Sequence, residues 1–273
     1  YDTPSKGVLW GWEVPIYVLT KAIATGTFLM MAIWSIFLGE LDSTSEIKGL
    51  IISLVFMGIT GGLLIKDLDR PDRFLYILLR PQWKSWLVRG AYIITVFGAL
   101  VTLKLIFSLY SMSMDFIWIL GSAFAVLGAI YTAFLFGQAK ARDLWQSPWI
   151  SSIHMLVHAV MAGCVVMIII VPETIGWLSK VLLWSIGANI LLIAKEILFS
   201  NNTPDSKRAI EMMTRGYYSK YFWIGVVIGL IAPLFFILSE SGNLMFLGGS
   251  MVLISIYLTE FVRIRVPQMI PLS

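Results

Sequence analysis

The feature that most limits this sequence is the recurrence of apolar runs. Runs long enough to cross a bilayer, roughly 20 residues each, occur eight times, near 14–38, 47–66, 86–109, 115–138, 149–171, 176–199, 221–239 and 243–262. Charged residues make up only 13% of the chain, against 58% hydrophobic; a soluble domain carries about a quarter charged residues. In lipid, a chain must satisfy its backbone polar groups internally, and a helix does so within one segment. The pattern therefore predicts an all-α integral membrane protein with eight transmembrane helices. No connection is long enough for a separate soluble domain, and the opening residues carry no signal-peptide pattern.

An even number of spans puts both termini on one side, here called face A, with the 66–89, 139–148 and 200–220 connections. Of the 20 Lys and Arg, 15 fall on face A and three (Lys48, Lys104, Lys180) on face B, while Lys21 and Lys195 lie inside spans. Taken alone, this asymmetry makes face A cytoplasmic. A faint repeat at an offset of 135 residues pairs Arg80, Trp83, Trp86 and Gly90 with Arg215, Tyr218, Tyr221 and Gly225. Chance in a low-diversity sequence explains it about as well as duplication. If real, it makes the halves parallel. The expected division is 1–142 for the first four-helix bundle and 143–273 for the second.

One connection stands apart. Leu64 to Tyr92 holds three acids (Asp67, Asp69, Asp72) and six bases (Lys66, Arg70, Arg73, Arg80, Lys84, Arg89) between two spans. Such charges cannot lie in hydrocarbon, so the stretch is a surface connection. Pro71 suits the first position of a short helix. The apolar run from Phe74 to Leu79 then gives it a face for the headgroup region, with Tyr76, Trp83 and Trp86 as anchors.

Asp67-Leu-Asp-Arg-Pro-x-Arg-Phe74 followed by Leu78-Leu-Arg-Pro-x-Trp-x-Ser-Trp-Leu-x-x-Gly90 resembles the signature of the polysulfide reductase membrane-subunit (NrfD-like) family. The end of the fourth run, with Tyr131 and Gln138, and Leu144-Trp-Gln-Ser-Pro148 form a second similar block. The resemblance implies two four-helix bundles side by side in a prokaryotic inner membrane. It also implies a quinone or menaquinone bound as substrate near face A, held in part by a tyrosine at the position of Tyr131. The implied partners are a ferredoxin-like four-cluster iron–sulfur subunit and a molybdopterin catalytic subunit. The family's best-described site has an Asn and a His at the start of the first span; aligned on Trp10 and Trp12, those positions hold Val14 and Tyr17.

Other candidate residues follow from position. Glu13, Tyr17 and Lys21 recur every fourth residue, so they form one stripe on a helix, with Lys21 about 12 Å below Glu13. A lysine at that depth is a functional candidate, and its alternative is snorkelling to face A. Tyr17, Lys21, Asp67 and Tyr131 are the expected quinone residues. Arg70, Arg73, Arg80 and Trp83 form a basic rim for the partner, and Glu13, His154 and His158 a candidate proton route. The two histidines lie four apart on one helix and lack a third ligand, so they predict neither a metal site nor a haem clamp. One cysteine, Cys164, leaves no ligand set for an iron–sulfur cluster. Lys195 and Glu196 read as a self-paired couple. Two readings of function remain: a quinone-exchanging anchor of an oxidoreductase, or a transporter with Lys21 and Glu13 in its pathway.

Overall fold

The computed structural model describes residues 10–68, 70–140, 142–171, 174–199, 203–238 and 242–271. It is 86% helical, with no strand among the described residues. The eight spans are α1 (Glu13–Phe37), α2 (Ser43–Lys66), α4 (Trp86–Leu109), α5 (Asp115–Gly137), α6 (Pro148–Ile170), α7 (Ile175–Phe199), a seventh built of α9 (Ser219–Trp223), a π-helical stretch (Ile224–Ile231) and α10 (Ala232–Leu238), and α11 (Gly242–Met269). Two short helices lie on face A: α3 (Phe74–Leu79), entered through a 3-10 turn at Pro71–Arg73, and α8 (Pro204–Thr214).

The span limits follow the sequence reading with two shifts. The second helix starts at Ser43 because the Asp42 side chain accepts from the Ser45 backbone N–H and caps it. The eighth runs on to Met269, past the expected end at 262, because Arg263 finds ion-pair partners inside the bundle and need not leave it. Within the 200–220 connection, Pro204–Thr214 folds as an amphipathic helix. Thr203 and Ser206 form a reciprocal capping box around Pro204, and Ala209, Ile210 and Met213 turn inward.

The first helix is the most enclosed of the eight, with 78% of its apolar window buried, compared with 22% for α4 and 28% for α2 and α7. It packs along α2, α5, α6 and α11. In lipid, helices gain little by burying apolar surface, so close packing of small residues decides who sits where. The α1–α6 crossing shows it: a Cβ added to Gly26 would stand 1.8 Å from the Ala159 carbonyl oxygen, and one added to Gly163 would stand 2.2 Å from the Gly26 oxygen. The seventh and eighth spans meet in the same way. Gly225 and Gly229 lie against Thr259 and Ser255, and Ser255 Oγ donates to the Gly225 oxygen at 2.8 Å. The π-helical widening there precedes Pro233, which cannot donate to the turn before it. Toward face B, the α1 core is aromatic: Phe28 packs on Phe97 and Trp118 with ring centroids 5.5 and 5.0 Å apart.

Gly26→Ala should therefore lower unfolding stability in detergent by about 1–3 kcal/mol, the usual penalty for overpacking. Gly98→Ala, with open space around it, should change it by no more than about 1 kcal/mol. Equal effects at both positions would contradict the packing account. The cap gives a second expectation. Hydrogen bonds from Ser45 hold the Asp42 carboxyl below its usual range, so its support for α2 is full above about pH 4 and is lost as pH falls through the lowered value. Asn caps without titrating, so Asp42→Asn should flatten stability against pH in acid relative to the native chain, as chemical unfolding curves would show.

Candidate functional site

On the face-A side of the first four spans, three residues singled out in the sequence come together. Tyr17, Lys21 and Tyr131 are each 1–2% exposed. Lys21 Nζ donates to Thr132 Oγ1 and lies 4.4 Å from the centre of the Tyr131 ring, so the ammonium is held by a hydroxyl and a π face and does not snorkel. The ring of Tyr131 fits because α4 carries glycine opposite it: a Cβ on Gly90 would stand 2.2 Å from its Cε2. Thr20 and Thr60 join α1 to α2 by a 2.8 Å hydroxyl contact at the same level.

The Tyr131 hydroxyl is buried and has no hydrogen-bond partner within the protein, an uncommon state that calls for a reason. Tyr131 also lines an apolar cleft of about 150 Å³ whose other walls include Gly61, Leu64, Leu87 and Ile94 from the spans and Phe74 and Ile77 from α3. The short helix of the charged connection thus roofs the cleft. Lys21 meets this cleft through Tyr131 and Thr132. Asp67 is the C-cap of α2, beside Leu68, which is itself part of the wall. Glu13 binds Lys66 at 3.3 Å, and Lys66 stands over the Trp12 ring.

The basic rim is ordered by side chain-to-backbone bonds. Gln138 accepts from the Trp86 N–H at 2.9 Å and donates to the Lys84 oxygen at 3.0 Å, pinning the connection to the end of α5. Arg89 Nε donates to the Trp83 oxygen at 2.6 Å. Trp83 packs on Tyr92 at 4.8 Å yet stays 55% exposed. Arg70 and Arg80 are exposed on the same face. Arg73 lies in the 3-10 turn, and its side chain falls outside the described residues.

A second polar centre occupies the other half of the chain. His154 Nε2 lies 2.5 Å from Asn189 Oδ1, and the His154 and His158 rings are 4.5 Å apart. His158 Nδ1 is 3.4 Å from Glu260 Oε1 but is not aligned for a hydrogen bond. Arg263 bridges Glu260 at 2.8 Å and Glu196 at 2.9 Å. Glu196 therefore pairs with Arg263 on α11, not with its neighbour Lys195 as the sequence suggested, because the (i, i+1) positions on a helix face apart. Toward face B, Lys104 is 4% exposed and pairs with Glu46 at 2.8 Å, which also accepts from Ser108 Oγ. Sequence reasoning missed Glu260, Arg263, Asn189 and Thr132. The one available signal was Glu260, a carboxylate inside the last apolar run, with Arg263 one turn beyond it.

Among the described residues, no group of three or more His, Cys, Asp or Glu is arranged to hold a metal ion. No curated protein matches the chain. Residues 3–270 match the family described as Polysulphide reductase, NrfD. With eight membrane-length helices among the described residues and that match over nearly its whole length, the chain belongs to the polysulphide reductase NrfD family and is a multi-pass membrane protein.

Proposed function

We propose that this chain is the quinone-exchanging membrane anchor of a multi-subunit oxidoreductase in a prokaryotic inner membrane, passing electrons between quinone and an iron–sulfur subunit docked on face A. The observation that carries this reading is the buried, unpartnered Tyr131 hydroxyl in the wall of an apolar cleft. A quinone head needs a slot of that kind, with apolar walls for a flat ring and a hydrogen-bond donor for a carbonyl oxygen. The cleft volume of about 150 Å³ is below the roughly 300–1,000 Å³ of sites that enclose a whole small molecule. It suits a ring whose apolar tail remains among the lipids.

Each residue then has a defined part. Tyr131 donates to the quinone oxygen. Lys21, fixed by Thr132, places positive charge behind the Tyr131 ring and exchanges protons with the site, aided by Tyr17; Asp67 closes the face-A end. Val14 and Tyr17 stand where the family's Asn and His are expected, and the Lys21–Thr132–Tyr131 arrangement replaces that pair. Quinone supplies the two-electron, two-proton chemistry when bound. The rim of Arg70, Arg73, Arg80 and Trp83 faces the docked subunit, which in this reading is ferredoxin-like and joins a molybdopterin subunit. Glu13, His154 and His158 belong to the proton route. We also read the halves 1–142 and 143–273 as two bundles, joined by the α1–α6 contact.

Tyr131→Phe should weaken quinone binding about 2- to 10-fold, the value of one hydrogen bond, with assembly intact. Gly90→Ala should do at least as much by displacing the ring. Lys21→Met should reduce quinol turnover more than it reduces quinone content. Quinone quantified in the purified complex, beside quinol oxidation rates, checks all three; unaltered binding in Tyr131→Phe would sink the assignment. For the rim, exposed charge pairs are each worth under about 1 kcal/mol, while aromatic anchors dominate interfaces. Trp83→Ala should therefore release the iron–sulfur subunit more readily than Arg70→Ala or Arg80→Ala, as co-purification would show.

A further inference from the structure

The second half of the chain holds a cavity of about 350 Å³, lined by charged and polar as well as apolar side chains, that the quinone cleft does not account for. It opens on face A beneath α8 and the 143–145 turn, and His154, Glu196 and Arg263 form its inner wall. Behind that wall the polar groups continue inward. Arg263 ties Glu196 to Glu260, Glu260 stands 3.4 Å from His158, and His158 lies against His154. Asn189 accepts from His154 Nε2, which leaves Nδ1 as the ring's proton acceptor. Both nitrogens of His158 and the Asn189 amide nitrogen are buried without hydrogen-bond partners within the protein. A chain has no reason to place these groups here if only packing is needed.

This cluster is level with the Lys21 site. Counted from the face-A ends of their helices, Lys21, His158 and Glu260 lie roughly 12, 15 and 14 Å deep. The first helix packs against both α6 and α11, so the helices that carry the two sites are in direct contact. One turn deeper than His158, the backbone contact of Gly26 with Gly163 closes the α1–α6 interface, and Cys164, Val165 and Met167 around it are buried and apolar.

We propose that this cavity is a proton port: a water-filled opening through which protons exchanged at the Tyr17–Lys21 stripe reach face A by way of His158 and His154. Glu260 and Arg263 face His158 from α11, and Asn189 and Glu196 face the path from α7. Glu260 stabilises the imidazolium while the proton is in transit. The step moves protons alone: His158 takes one from the stripe through water, His154 gives one to the cavity, and no electron or other bond is involved. The port opens on face A, the side toward which the roofed quinone cleft lies, so protons released at the quinone leave on that face. This inference rests on the quinone reading and adds to it the route and the side of release.

The test uses the assembled complex. The native Cys164 is fully buried, so a thiol introduced by Ser151→Cys in the cavity wall is the reactive one. A water-soluble maleimide should label it at a rate near that of Lys207→Cys on the exposed face of α8. Labelling should then slow quinol turnover by about 100-fold, the low end for a lost proton-transfer group, without changing bound quinone. His154→Ala should lose turnover to a similar degree and regain part of it with added imidazole. A thiol at 151 that resists labelling while 207 reacts, full turnover after complete labelling, or no response of His154→Ala to imidazole would each overturn the port. Absence of quinone from the unmodified complex would instead overturn the quinone reading.

Discussion

The contact between Gly26 and Gly163 is the constraint on which the arrangement depends. A bilayer gives no reward for hiding apolar side chains, so two helices stay together only where their surfaces let backbones approach. Here the approach is close enough that no Cβ fits on either side. It makes α1 the axis of the molecule, with partners from both halves around it. It also fixes the register of the chemistry: the segment of α1 just above the contact carries Lys21 and Tyr17, and the segment of α6 just above it carries His158 and His154.

Charge inside the membrane is the second constraint, since each unpaired ion there costs at least a few kcal/mol. The structure answers in three different ways. Arg263 is shared by two carboxylates, and Lys104 is matched by one and a tryptophan face. Lys21 has neither; it is held by a threonine hydroxyl and the Tyr131 ring. In the first two the cation is matched by carboxylate in direct contact. The third leaves a cation whose charge is not neutralised by direct contact, next to a hydroxyl that lacks a partner. That difference sets Lys21 and Tyr131 apart from the other buried cations.

The spans were legible because apolar length is a one-dimensional property, and the short interfacial helix because Pro71 and the Phe74–Leu79 run declare it locally. Tyr131 was legible from the family resemblance, and the Tyr17–Lys21 stripe from depth and spacing. What joins them was not: Thr132 and Gly90 are ordinary residues in a membrane helix, and their importance arises only when α4 and α5 are set against α1. Glu196 was assigned to its neighbour for the same reason, as its true partner lies on a helix far along the chain. Arg263 was placed outside the last span because hydropathy counts a charge as an end, whereas two buried carboxylates let the helix continue through it.

In the proposed function the Tyr131 hydroxyl holds the quinone ring, with Lys21 behind it. An experimental map of the assembled complex, prepared with a quinone analogue, tests this directly. The ring should lie between α2, α4 and α5 under α3, with one ring oxygen about 3 Å from Tyr131 Oη. A ring seated in the His154 cavity of the second half, or a Tyr131 hydroxyl turned to a protein acceptor with the cleft closed, would contradict it.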